Sequence, residues 1–257
     1  MSDGRALARE YLEQQRLLGG DAVIRSDSRT VGPSDSGGAF PSDSPTVRPS
    51  DASLPPPGIS YDPPSADLFA ADPVSQAGTL QAVAALVADC TKCRLCAGRT
   101  NTVPGEGPDD ARLVVIGEGP GRVEDETGRP FVGKAGELLT KILGAIELPR
   151  ERVFICNVVK CRPPENRLPQ YDEIAACLPY LHRQLELLKP KVILAMGGTA
   201  AQTLLDTKQS LGALRNRVHR FRGIPVIVTY HPAALLRNPN WKRPTWDDVR
   251  IARRLLD

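Results

Sequence analysis

Four short apolar runs between residues 112 and 230 constrain this fold more than any other feature. Residues 112–118, 152–159, 191–197 and 225–230 are dense in Val and Ile, as strands buried on both faces must be. Between and after them, residues 134–147, 170–188, 198–206 and 245–256 place apolar side chains at helical spacing. That alternation predicts an α/β three-layer sandwich with a central four-stranded parallel sheet. In such sheets ligands bind outside the carboxyl ends of the strands. The residues to inspect therefore follow each run: Gly117–Gly121, Asn157, Gly197–Gly198 and His231–Pro232.

The N-terminal third reads differently. Residues 1–80 hold 10 of the 24 prolines with 6 basic and 11 acidic residues, whereas residues 81–257 hold 27 and 19, so an acidic segment precedes a basic body suited to a polyanion. Residues 25–56 divide into four eights, RSDSRTVG, PSDSGGAF, PSDSPTVR and PSDASLPP. Such Pro, Ser, Asp and Gly composition buries too little apolar area to offset chain entropy. The expected organisation is a short amphipathic helix over 1–19, a disordered linker with this octad repeat over 20–76, and one folded domain over 77–257. The helix is either a frayed tail or a docking segment for a protein partner. No run of 18 apolar residues and no hydrophobic signal core occurs, so neither a membrane span nor export is expected.

Two nucleotide-binding patterns fail on physical points. Gly117-x-Gly119-x-x-Arg122 lacks the third glycine of a dinucleotide turn and carries Pro120 inside it. Gly128 to Lys134 has phosphate-loop spacing, but Ala135 stands where a hydroxyl would bind Mg²⁺. The cysteines are more informative: Cys90-x-x-Cys93-x-x-Cys96, then Cys156, Cys161 and Cys177. Thiolates from two separated segments can enclose zinc or an iron–sulfur cluster, and the spacing alone does not choose between them. Cys156, inside an apolar run, reads as a small core residue.

Together, Gly117-Glu-Gly-Pro-Gly121 with Glu124-Asp125, Gly128-Arg-Pro-Phe-Val-Gly133, Asn157-Val-Val-Lys-Cys-Arg-Pro-Pro-Glu-Asn166 and His231-Pro-Ala-Ala-Leu-Leu-Arg237 resemble the family 4 uracil-DNA glycosylases over about residues 80–257. The resemblance implies a [4Fe–4S] cluster held by Cys90, Cys93, Cys161 and Cys177, with Cys96 and Cys156 outside the ligand set. A related branch that traps DNA on a histidine carries Lys-Arg-Arg-Ile-His after the asparagine. Here Cys161–Arg167 takes that place, so turnover is expected.

Chemistry and resemblance then assign roles. Uracil in DNA must leave the stack before an enzyme can read it. One Asn157 amide suits its edge, a donor for O4 and an acceptor for N3–H. Phe131 is expected as the stacking platform, Glu124 as the wall against the thymine methyl, and His231 as the donor to O2 as charge grows there. Gly119 stands where the best-known uracil glycosylases carry a water-positioning Asp, which leaves Glu118 as the nearest carboxylate for that role. Leu235 and Leu236 are expected as an apolar wedge, Arg237 as a phosphate contact, and Gly198 as a phosphate-facing helix start. Lys134 and Lys160 read as further phosphate contacts.

The expected protein is a monofunctional uracil-DNA glycosylase of base-excision repair, a cytoplasmic, nucleoid-associated monomer whose partner is uracil-containing DNA. The rival readings are an iron–sulfur module that recognises uracil without turnover and a redox protein.

Overall fold

A computed structural model of the chain describes residues 54–63 and 72–257. The expected N-terminal helix and most of the linker lie outside the described residues. Six strands form one sheet: β1 (Pro57–Tyr61), β2 (Leu113–Gly117), β3 (Val153–Asn157), β4 (Val192–Met196), β5 (Val218–Phe221) and β6 (Ile224–Thr229). Their order is β1-β5-β6-β4-β2-β3. The four apolar runs became β2, β3, β4 and β6, which are adjacent and mutually parallel. Every residue of β2, β3 and β4 is buried, as near-continuous apolar strands require when helices cover both faces.

The sheet is wider than the four strands expected. β5 pairs antiparallel with β6 through a two-residue turn, Arg222 (φ 49°) and Gly223 (φ 75°), both left-handed as a tight hairpin turn demands. β1 pairs parallel with β5 and lies inside the segment read as linker. A four-residue run with His219 and Arg220 at its centre and a five-residue run among prolines lack a strand signal of their own, so partner strands rather than propensity fix them. His219 ties the two together. Its Nδ1 accepts from Ile59 N at 2.9 Å and its Nε2 meets the Leu214 carbonyl at 2.6 Å.

Seven helices matter for the site: α1 (Leu80–Ala88), α2 (Arg122–Thr127), α3 (Lys134–Ala145), α4 (Tyr171–Leu188), α5 (Gly198–Leu205), α6 (Pro232–Arg237) and α7 (Lys242–Leu256). Strand residues alternate between faces. Val114, Ile116, Ile193, Ala195, Val226 and Val228 join one core with Val83 and Val87 of α1, Leu181 and Leu185 of α4, and Leu204 of α5. α7 packs on β4 and β6. No helix among the described residues is long and apolar enough to cross a membrane.

Candidate active site

β3 and β4 flank β2 on opposite sides, which makes a topological switch where a cleft opens at the carboxyl ends. The cleft holds about 760 Å³ and is lined by Glu118, Gly119, Glu124, Phe131, Asn157, Gly198, His231 and Arg237, among others. The expected site residues from all four parallel strand ends thus converge.

Asn157 ends β3 and is 1% exposed, yet its Oδ1 has no hydrogen-bond partner. A buried acceptor left open costs about 1–3 kcal/mol, and this one stands at the cleft, where a donor from outside can reach it. Beside it, Phe131 adopts φ 51°, a left-handed backbone that bulky residues avoid. Four neighbours enforce that pose. Arg150 donates to the Pro130 carbonyl at 2.6 Å and the Phe131 carbonyl at 2.9 Å. Glu124 Oε1 accepts from Val132 N and Gly133 N, each at 2.9 Å. Gly136 in α3 has no Cβ, and one would overlap the Phe131 carbonyl. At Gly117 a Cβ would stand 2.5 Å from Phe131 Cζ, so the ring occupies the space the glycine leaves.

The Phe131 and His231 rings lie 5.4 Å apart at 31°. His231 caps α6, where Nδ1 accepts from Ala233 N at 3.2 Å. That bond leaves the ring's proton on Nε2. Burial first, and the Arg237 charge second, push the imidazole down to about 4, against a smaller upward pull from Glu124. The ring is therefore neutral near pH 7, a donor whose tautomer is set.

Glu118 Oε2 accepts from Thr199 Oγ1 at 2.5 Å. Gly119 has no room for the missing Asp, because a Cβ there would stand 2.8 Å from Val159 Cγ2. Gly198 starts α5 with open space where a Cβ would project.

The sequence is similar to those of known proteins. The family model for the uracil DNA glycosylase superfamily matches residues 104–251. A type-4 uracil-DNA glycosylase of Thermotoga maritima is 46% identical over 181 residues, covering 69% of this chain and 94% of that protein. One from Sulfurisphaera tokodaii is 44% identical over 186 residues, 69% of this chain and 84% of that protein. A type-5 uracil-DNA glycosylase of Pyrobaculum aerophilum is 31% identical over 150 residues, 52% of this chain and 66% of that protein. The chain belongs to the type-4 uracil-DNA glycosylases.

Within this type-4 glycosylase two expectations need correction. Leu235 is fully buried on the inward side of α6 and cannot enter DNA, whereas Leu236 is 50% exposed. Lys160, expected at phosphate, is 1% exposed, with Nζ donating to the Asn157 carbonyl at 2.8 Å and Gln184 Oε1 at 2.7 Å. Glu124 also does more than line the cleft, since its carboxylate braces the Phe131 loop.

The cysteines gather away from the cleft. Cys90, Cys93, Cys161 and Cys177 line one cavity with Cys96, Arg99 and Lys160, while Cys156 is buried in β3. Burial pushes the thiols of Cys93, Cys161 and Cys177 up, the last to about 12. Thiolate charge must accordingly be met inside the cavity. Arg99 Nη1 reaches Cys161 Sγ at 3.3 Å, and Lys160 N reaches Cys177 Sγ at 3.2 Å. These donors fit a thiolate-bound group. Among the described residues no three ligand side chains converge as a single ion requires.

The sequence reading missed Arg150, Thr199, Tyr230 and Trp241. Arg150 and Thr199 act through backbone or partner contacts that leave no pattern in the chain. Trp241 carried a signal, as one of two tryptophans, set just after Asn238-Pro-Asn240.

Proposed function

We propose that this chain hydrolyses the N-glycosidic bond of flipped-out deoxyuridine in DNA, releasing uracil and leaving an abasic site. The observation that carries the reading is the unpartnered, buried Oδ1 of Asn157 beside a braced aromatic ring and a neutral histidine donor. Uracil presents N3–H to Oδ1 and O4 to the amide N–H groups, whereas cytosine presents a bare N3 and an amino group and leaves both mismatched. Phe131 supports the base by stacking.

Cleavage of C1′–N1 moves the bonding pair onto the base, so O2 gains negative charge and the sugar positive charge. His231 donates from Nε2–H to O2 in that transition state without having to lose a proton first. Glu118, oriented by Thr199, accepts a proton from the water that attacks C1′. The amide of Gly198 and the Arg237 guanidinium hold flanking phosphates, and Leu236 fills the vacated stack.

Cys90, Cys93, Cys161 and Cys177 would hold a [4Fe–4S] cluster, with Arg99 donating to the Cys161 sulfur and the Lys160 amide to the Cys177 sulfur. Bound there, it would cross-link residues 90–93 to residues 161–177 through thiolate ligation. Protein purified without oxygen should contain iron. Cys161→Ala and Cys177→Ala should lose it, and Cys156→Ala should keep it.

Release of free uracil from a uracil-containing oligonucleotide tests the main reading. Asn157→Ala should slow release about 10- to 100-fold per unpaired group, and His231→Ala should slow it without altering base choice. DNA binding with no release by the parent protein would support the non-catalytic module instead.

A further inference from the structure

The cleft continues to a stack of side chains that uracil chemistry leaves unused. Trp241 lies flat on Tyr230, ring centroids 4.7 Å apart and planes within 6°. The Arg215 guanidinium stands 4.5 Å from the Tyr230 centroid, and sterics allow both neighbours over one ring only from opposite faces. Arg215 is itself fixed, with Nε donating to Asp248 Oδ2 at 2.7 Å and Nη2 to the Pro244 carbonyl at 2.9 Å. Asp248 is fully buried and accepts from Thr229 Oγ1 at 2.7 Å, so the stack is anchored at the end of β6.

Trp241 ends this stack 37% exposed, while the chain's other tryptophan, Trp246, is 8% exposed. Trp241 is thus the more exposed of the two tryptophans, with part of its indole left to solvent. Trp241 lines the cleft shared by Asn157 and His231, together with Leu211, Gly212 and Arg237. A fixed aromatic face beside a cation is the chemistry that receives a nucleobase and its phosphate, with little sequence preference.

We propose that the open face of Trp241 receives the unpaired nucleobase adjacent to the flipped uridine on the same strand. This rests on the reading that uracil occupies the Asn157 slot. A base still paired in a duplex keeps its faces inside the stack and cannot reach the indole. The site therefore favours single-stranded or locally opened DNA.

The test measures kcat/KM for uracil release by the full chain, Trp241→Ala and Trp241→Phe on single-stranded and duplex oligonucleotides of one sequence. Further single strands carry an abasic tetrahydrofuran 5′ or 3′ of the uridine. Trp241→Ala should lower the single-strand to duplex ratio about 5- to 150-fold, chiefly through KM, and Trp241→Phe should restore most of it. The parent should lose a similar factor on one abasic-flanked strand, where Trp241→Ala loses nothing more. Equal losses on single strand and duplex would overturn the proposal. So would parental kcat/KM on both abasic-flanked strands, an outcome read on unaltered protein whether or not the variant folds. A parent protein that releases no uracil from any substrate removes the underlying reading, and this proposal with it.

Discussion

Gly117 and Asn157 are register partners at the ends of β2 and β3, and a methyl on the glycine would stand 2.5 Å from the asparagine's Oδ1. No real Cβ tolerates that approach, so Gly117→Ala must displace either the amide or the Phe131 ring. Losing one base-edge hydrogen bond corresponds to about a 10- to 100-fold drop in single-turnover release. The overpacking itself costs about 1–3 kcal/mol of stability. A thermal melt read beside the kinetics separates the two, and parental release from a folded variant would show that the amide has room to move.

The pH dependence follows from His231. An ordinary imidazole titrates near ~6.5, but burial and Arg237 push this one down to about 4. Its neutral form therefore persists through pH 6.5, and the rate of uracil release should change only as pH approaches the lower value, where a protonated Nδ1 can no longer accept from Ala233 N and the ring loses its cap position. Stability depends on the same group. Between about 4 and ~6.5 the unfolded chain binds a proton at this position that the folded chain refuses, so the contribution rises with pH and is complete above ~6.5. Replacing His231 by Gln should flatten urea-unfolding stability against pH in that window. An unaltered slope would mean that His231 is protonated in the folded protein.

Leu235 and Leu236 are adjacent in sequence and opposite in consequence. Leu235→Ala removes a fully buried side chain and should cost about 2–5 kcal/mol of stability. Leu236→Ala touches a half-exposed one and should shift stability by no more than about 0.5 kcal/mol. Its effect should instead appear as slower excision from duplex, where a gap must be filled. Denaturant melts and duplex kinetics on both variants decide the assignment, and a large stability loss at Leu236 would refute it.

The four mutually parallel strands β2, β3, β4 and β6 and the residues that follow them were legible because their buried residues leave bare apolar runs. Asn157 and His231 could be found for the same reason, since a strand end fixes where they stand. β1 and β5 could not be read. Val218–Phe221 sets two polar residues between two apolar ones, with no alternation to mark a strand, and Pro57–Tyr61 sits among prolines. Leu235 was misjudged because six residues of helix gave too little periodicity to tell its inner from its outer side. Lys160 was misjudged because a buried amine that finds two neutral acceptors has the same letter as one on the surface.

Where the folded domain begins has a direct test. A chain starting at Ala77 lacks β1, uncovers the edge of β5, and removes the Ile59 amide that donates to His219. A chain starting at Leu54 keeps all three. The longer form should melt higher and stay dispersed, while the shorter exposes unpaired strand groups that promote association. Light scattering and thermal melts compare them, and identical behaviour would show that β1 contributes nothing.

The left-handed backbone at Phe131 means that the shape of the base slot is decided by groups the base never meets. Arg150 follows α3 and grips two carbonyls from behind the platform, so harm done there is felt at the far side of the ring. A survey of substitutions scored by activity would mark Arg150 as though it touched uracil. Inheritance of function in this chain is thus spread over a scaffold wider than its contact surface.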